Sequence, residues 1–405
     1  MPDRSPRSTA AQPGPCKVAV IWIDWYAYHV ARFRGLMAAP TLAGRVRGIE
    51  LVGGVGVHTG LKFREDLPAD LPVDTLMPRS SWADAGQLRL ARKLWSHLTR
   101  LDPDVVLVPG YYTLPAVAAA LWAKLHQRTS ILMTESTADD HARVPWKETL
   151  KSLLIRTLFD SAITGGVAHR RYLQQLGFPA DRIGRFYDVV DNTAIASQAA
   201  ALRQASGDRR EPTARSERGD FDLPETYFLY VGRLAEEKNV RGLVEAWLRY
   251  RETGGSWPLV LVGDGPEAQP LRSLVQQSAF SPFGQDLYFA GHRTSRDLPV
   301  FYASAGCFVL PSSREPWGLV VNEAMAAGLP VIVSNRCGCV EDLVHADRNG
   351  LTFDPFAEGQ LLSCLHRVSN AAPELLLSMR SHSSEIITPY SPANFGLEVA
   401  QLAEL

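Results

Sequence analysis

From Val18 to Phe353 the chain alternates short β-branched runs with longer stretches of helical period, and this alternation constrains the fold more than any other feature. Parallel strands need a crossover between them, so the pattern specifies βαβ units around buried sheets. Strands are expected at 18–23, 49–52, 105–108, 131–134 and 162–164 in the first half. In the second half they are expected at 227–231, 259–262, 288–290, 307–310, 331–333 and 351–353. A single hydrophobic core rarely grows beyond about 250 residues, so 405 residues arranged this way imply two doubly wound α/β domains. The expected divisions are a disordered tail at 1–15, a first Rossmann-like domain at 16–196, a linker at 197–223, a second Rossmann-like domain at 224–388 and a final helix at 389–405. The linker expectation rests on 199–219, rich in Arg, Ala, Glu and Ser and without an apolar period.

Composition narrows the function classes. Lys plus Arg number 42 against 43 Asp plus Glu, a net charge of −1, which lacks the basic excess of a nucleic-acid-binding chain. The five cysteines (Cys16, Cys307, Cys337, Cys339, Cys364) include no second pair at zinc spacing, so no metal site is expected and the chain reads as reduced and cytoplasmic. The first fifteen residues lack an apolar core segment, and no apolar run approaches the ~18 residues of a membrane span.

The most informative stretch runs from Phe308 to Ser334. A buried strand ends at Leu310, a loop carries Glu315, Pro316 and Gly318, and a short helix covers about 319–327. Gly328 suits the position just past a helix end, and Pro330 stops continuation. The N-terminus of this helix therefore faces the carboxyl edge of the sheet, where free amides and the helix dipole favour a phosphate. Glu315 and Glu323, eight residues apart, would repel a phosphate but suit hydroxyl groups, which donate to carboxylates. A pair of solvated helix-capping acids is the alternative. Three further loops follow strands: Gly232 with Arg233 and Lys238, Gly263-Asp264-Gly265-Pro266, and Gly291-His292-Arg293. Two cations can neutralise a diphosphate, and the glycines are expected to let backbone approach a ligand closely.

In combination, these motifs over residues 227–358 resemble the retaining glycosyltransferases of family four, group 1 of the glycosyl transferases. The resemblance implies a GT-B fold, two Rossmann-like domains facing across a cleft, with the acceptor on the first domain and the nucleotide sugar on the second. It also implies a last helix, beginning near Ser391 and Phe395, that crosses back onto the first domain. A UDP-sugar would serve as co-substrate, with no other cofactor and no metal. Arg233 and Lys238 would hold the diphosphate, and Glu323 the ribose hydroxyls. Glu315 would hold the sugar, helped by amides around Gly318, Leu319 and Val320. Gly232 and Gly263 would line the donor site, and His292 and Arg293 would face the base. The acceptor would be a glycan or a lipid-linked sugar, as in surface polysaccharide synthesis. A phosphorylase, an epimerase or a non-catalytic nucleotide-sugar module would share the scaffold. A pyridoxal-dependent phosphorylase is disfavoured because Lys238 is the only lysine from Tyr227 onward.

The first half departs from the family pattern. Residues 23–32 carry Tyr26, His29 and Arg32 in place of a glycine-rich loop, and these either contact the acceptor or pack the first helix. Relatives carry a histidine after the strand at 131–134, where this chain has Glu135, and the nearest histidine is His141. Glu135 is the stronger candidate for the acceptor-side catalytic group. Asp102-Pro-Asp104 and Asp220-Phe-Asp222 read as structural rather than metal ligands. The helix at 146–159 places Leu150, Leu153, Leu154 and Leu158 at helical spacing among cations. A core-facing helix is the expectation for it, and peripheral membrane contact the alternative.

Overall fold

The structure, a computed structural model, describes residues 17–54, 67–140, 143–207, 223–277 and 281–404. The expected tail at 1–15, His141, most of the expected linker and the Asp220-Phe-Asp222 pair lie outside the described residues.

The first domain is a seven-stranded parallel sheet in the order β3-β2-β1-β4-β5-β6-β7. Its strands are β1 (Val18–Trp22), β2 (Val46–Val52), β3 (Val73–Met77), β4 (Val105–Pro109), β5 (Thr129–Thr134), β6 (Ser161–Thr164) and β7 (Ile183–Gly184). β1 is buried along its whole length, which is why its sequence is a continuous apolar run rather than an alternation. Two strands escape the sequence reading. β3 is an edge strand whose residues are only half-buried and include Asp74 and Thr75, and β7 is two residues long. Helix α1 (Ala27–Ala38) packs on one face of the sheet. Helices α3 (Gln87–Leu101), α4 (Leu114–Leu125), α5 (Pro145–Leu158) and α6 (Val167–Gln175) cover the other, and the short α2 (Trp82–Ala85) precedes α3.

The second domain is a six-stranded parallel sheet in the order β10-β9-β8-β11-β12-β13. Its strands are β8 (Phe228–Val231), β9 (Leu259–Val262), β10 (Leu287–Gly291), β11 (Cys307–Leu310), β12 (Val331–Ser334) and β13 (Gly350–Phe353). Around them lie α8 (Val240–Glu252), α9 (Ala268–Gln277), α10 (Leu298–Ser304), α11 (Leu319–Ala326), α12 (Val340–Leu343), α13 (Gln360–Ser369) and α14 (Pro373–Ile387). The architecture is the expected α/β pair of doubly wound domains.

The stretch expected to be a linker begins as structure. Helix α7 (Asn192–Gly207) docks on α10 and α11 of the second domain. Arg203 donates to the carbonyls of Ala303 at 3.0 Å and Ala327 at 2.5 Å. Its buried Ala199 and part-buried Ile195 and Leu202 supply the apolar contact that the charged composition hides.

Helix α15 (Pro392–Leu402) starts as its sequence indicates, with Ser391 accepting from the Asn394 amide at 3.3 Å and a proline in the first turn. It returns to α1 with backbones in contact. A Cβ on Gly35 would stand 1.9 Å from the Pro392 carbonyl oxygen, and one on Gly396 would stand 2.2 Å from the Gly35 oxygen.

Candidate functional site

At the carboxyl edge of the second sheet, three strand-end loops are laced by backbone hydrogen bonds. Gly232 donates to Val262 at 2.9 Å, Leu234 to Asp264 at 2.9 Å and Gly263 to Gly291 at 2.8 Å. At Gly263 a neighbouring loop also requires glycine, because a Cβ there would lie 1.8 Å from the Gly232 carbonyl oxygen. The loops do converge, as their spacing suggests.

The turn Glu236–Lys238 is clamped to the loop after β11. The Ser313 amide donates to the Glu237 carbonyl at 2.9 Å, and Asn239 Nδ2 to the Pro311 carbonyl at 3.2 Å. This brings Lys238 Nζ into a direct ion pair with Glu315, whose Oε2 also accepts from Ser312 Oγ at 3.3 Å. The cation expected at the diphosphate and the acid expected at the sugar are thus one unit. Arg233 lies at the end of β8 with a part-exposed side chain that has no ion-pair partner among the described residues.

Gly318, at φ +105°, caps α11, and Leu319 and Val320 form its part-exposed first turn. One turn on, Glu323 accepts from the buried Tyr302 hydroxyl at 2.7 Å. Burial raises the Glu323 carboxyl from 4.5 to about 7, with the Tyr302 bond opposing the shift. His292 and Arg293 are part-exposed beyond β10, where Arg293 Nε donates to the Ala290 carbonyl at 3.1 Å.

The carboxyl edge of the first sheet faces this site. From α6, His169 Nε2 lies 2.9 Å from the Pro316 carbonyl oxygen and the Val167 amide donates to Asp342 at 2.8 Å. Asn322 Nδ2 donates to the Asp188 carbonyl at 2.9 Å, and Asn322 Oδ1 accepts from Trp317 Nε1 at 2.9 Å. The loop before α11 is therefore keyed into the first domain.

The sequence-predicted acceptor residues divide. Tyr26 is part-exposed and donates to Asp24 Oδ2 at 3.0 Å. His29 is buried, stacked on Trp22 at 4.7 Å, and accepts at Nδ1 from the Tyr26 amide at 3.2 Å. Burial holds its pKa well below the usual value, with the Arg32 charge acting the same way. Arg32 is corrected from acceptor contact to internal anchor. Its side chain is 0% exposed, paired with Asp188 at 3.1 Å, and its Nε donates to the Val189 carbonyl at 3.4 Å.

Sequence reasoning missed Asp188. Burial pushes its carboxyl well above the usual range, the adjacent Glu135 carboxylate pushes the same way, and Arg32 opposes them. Asp188 Oδ2 is buried and meets no geometric hydrogen-bond partner among the described residues, with Glu135 the carboxyl group beside it. Glu135, part-exposed at the end of β5, thus stands beside a buried Arg–Asp pair on the wall opposite Lys238 and Glu315. The signal in the sequence was Arg32 itself, a cation on the apolar face of α1 that could not be buried without a counter-charge. Asp102 and Asp104 pair with Arg128 at 2.9 and 3.0 Å at the opposite, amino edge of the sheet. Among the described residues no cluster of His, Cys, Asp and Glu is arranged to hold a metal ion.

Comparison with known proteins agrees with these motifs. The family model of glycosyl transferases group 1 matches residues 213–371. The O-antigen chain mannosyltransferase B of Escherichia coli is 38% identical over 131 residues, 32% of this chain and 33% of that protein. The sulfoquinovosyl transferase SQD2 of Arabidopsis thaliana is 26% identical over 297 residues, 69% of this chain and 52% of that protein. The chain thus spans between a third and about half of the length of these curated relatives. Among solved structures, Anabaena HepE in complex with UDP superposes with a TM-score of 0.67 at 18% identity, over 96% of this chain and 100% of that one. Sucrose-phosphate synthase from Thermosynechococcus elongatus does so with a TM-score of 0.70 at 18% identity, over 96% of this chain and 98% of that one. The fold is GT-B.

Proposed function

We propose that this protein is a retaining glycosyltransferase, a reading supported by the match of the group 1 glycosyl transferase model to residues 213–371. It moves a hexose from a nucleotide sugar, a UDP-sugar first, to a glycan or lipid-linked acceptor in the cytoplasm. The observation that carries the reading is the Lys238–Glu315 pair beside the N-terminus of α11.

In this reading Arg233 and Lys238 take the diphosphate, and its arrival draws Lys238 away from Glu315, freeing that carboxylate to accept from sugar hydroxyls. The bond from the anomeric carbon to the diphosphate breaks, with its electron pair leaving on the phosphate oxygen. The acceptor oxygen forms the new bond and gives up its proton. Cations and helix amides fixed where charge accumulates lower the barrier without reorganising, and one such donor is worth roughly 3–4 kcal/mol in other enzymes. Glu323 accepts the ribose hydroxyls. Glu135, on the opposite wall, orients the acceptor hydroxyl or receives its proton. His292 and Arg293 border the base.

Thermal shift with a donor panel tests this reading. A UDP-sugar at a hundred times its Kd should stabilise the protein by about 2.7 kcal/mol. GDP-mannose is the competing donor, favoured by the similarity to a GDP-mannose-dependent alpha-mannosyltransferase of Corynebacterium glutamicum, 38% identical over 125 residues. No shift with any nucleotide sugar would sink the reading, and a shift without donor hydrolysis or transfer would leave a binding module.

A further inference from the structure

The outer layer of the first domain combines two features that neither core packing nor the donor site uses. The first is apolar. On α4, Leu114, Leu121 and Leu125 point to solvent at i, i+7 and i+11, and on the neighbouring α5 so do Trp146, Leu150 and Leu153 at i, i+4 and i+7. Leu125, Trp146, Leu150 and Leu153 are 65%, 65%, 58% and 64% exposed. α5 faces the core as expected through Ile155, Leu158 and part-buried Leu154, but Leu150 and Leu153, expected on that stripe, lie outside it. The sheet needs only one stripe of each helix, and that stripe is already filled.

The second feature is charge. Adjoining α3 carries four Lys or Arg and no acid, α4 carries one and no acid, and α5 carries three against the single Glu148. Eight cations and one carboxylate thus sit on three adjacent helices of a chain whose net charge is −1. Only Lys124 and Lys151 of the eight are in ion pairs among the described residues. Exposed Arg92, Lys147 and Arg156 make no ion pair among the described residues, Lys93 Nζ donates only to the Leu76 carbonyl at 3.2 Å, and Lys147 lies over the Trp146 ring at 5.6 Å.

We infer that this face docks on an anionic lipid bilayer, with α4 and α5 inserting Leu and Trp side chains while the surrounding cations meet the headgroups. A second copy of the same face is disfavoured, because it would set like charges against each other. Nucleic acid would use the cations but not the exposed leucines. Both helices begin at the carboxyl edge of the sheet, near Glu135, so the docked face runs up to the cleft. A lipid-linked acceptor would then reach Glu135 from the bilayer surface.

The full chain is tested by flotation with vesicles of phosphatidylcholine alone and of phosphatidylcholine with phosphatidylglycerol, at low and high salt. The wild type should float with the mixed vesicles, poorly with the neutral ones, and less as salt rises. Leu150→Glu combined with Leu153→Glu should weaken recovery by about tenfold or more. The melting temperature should be retained, because both side chains already face water. Arg92→Glu with Lys93→Glu should weaken binding to the mixed vesicles while changing the neutral ones little. Nucleotide-induced stabilisation, measured on the same variants, should stay at the wild-type value, which separates this surface from the donor site. Binding to neither vesicle, equal binding to both, or mixed-vesicle binding untouched by the leucine changes would overturn the inference. So would a dimer that the leucine changes split, or capture of a short RNA in preference to the mixed vesicles.

Discussion

Arg32 on the first helix and Asp188 on the segment that crosses to the second domain form a 3.1 Å ion pair with both side chains fully enclosed. The Arg32 guanidinium also packs over the Tyr187 ring at 4.3 Å. The pair fixes the start of the crossing segment, and Asn322 of the second domain reads that position through the Asp188 carbonyl. It therefore ties the wall carrying Glu135 to the helix carrying Glu323.

Removing one partner should be much worse than removing both. Arg32→Met leaves Asp188 buried and uncompensated, at a cost of about 3–5 kcal/mol in urea unfolding. Arg32→Met with Asp188→Leu should recover most of that loss. A single variant within about 0.5 kcal/mol of wild type would show that the pair is solvated after all.

The α1–α15 contact makes a second, purely steric prediction. At Gly35 even one methyl group would overlap the Pro392 carbonyl, since its Cβ would stand 1.9 Å from that oxygen. Gly35→Ala should destabilise by about 1–3 kcal/mol, seen as a lower melting temperature. A Gly35→Ala protein that melts with the wild type would mean that α15 does not sit where the structure places it.

How legible these features were depended on whether the signal is local. The four central strands of the second sheet, β8, β9, β11 and β12, are buried along their whole length and read as apolar runs, and the loops after the strands carry their glycines and charges in a few residues. β3 offers Asp74 and Thr75 instead of a run, and nothing local marks it. Asp188 sits 156 residues from Arg32. A pair at that separation is visible only once the chain is folded, although the cation within α1 announces that a partner must exist. Tyr302, which sets the environment of Glu323, was hidden in the same way. The solvent-facing leucines of α5 have the spacing of core leucines, and periodicity alone does not say which face is inside.

Chelation should leave transfer unchanged. Asp102 and Asp104 are occupied by Arg128 at the edge of the sheet away from the cleft. The charges beside the donor site are Arg233 and Lys238. Activity lost in EDTA and restored by manganese would show that a metal takes the diphosphate.

Glu323 should couple nucleotide binding to pH. Its folded pKa, about 7, lies above the ordinary 4.5, so the fold prefers the protonated form. That stabilisation is complete below about 4.5 and is lost as pH rises toward 7. Ribose hydroxyls prefer the ionised form, which accepts charge-assisted bonds. Nucleotide affinity, by calorimetry, should therefore rise between about pH 6 and pH 8 while ligand-free stability falls by something on the order of 1–3 kcal/mol. Glu323→Gln should flatten both trends, weaken binding, and be the more stable protein at alkaline pH. Flat affinity in the wild type would remove Glu323 from the ribose.

The sharpest test concerns Lys238 and Glu315 together. If their pairing is only structural, Lys238→Ala strands a mostly enclosed carboxylate and costs about 1–3 kcal/mol of stability. Adding Glu315→Gln then restores both stability and turnover. If Lys238 leaves Glu315 for the diphosphate, Lys238→Ala removes a charge needed when the glycosidic bond breaks. Turnover should fall by two or more powers of ten, about 2.7 kcal/mol of barrier. Glu315→Gln alone should lower turnover more than it lowers nucleotide affinity, because the sugar rather than the nucleotide is its ligand. The double variant then regains stability but not turnover, since no cation has been returned to the site. Melting temperatures and transfer rates of the four proteins in this cycle separate the two cases. Recovery of turnover in the double variant would reduce the ion pair to a loop clamp and move the diphosphate away from Lys238.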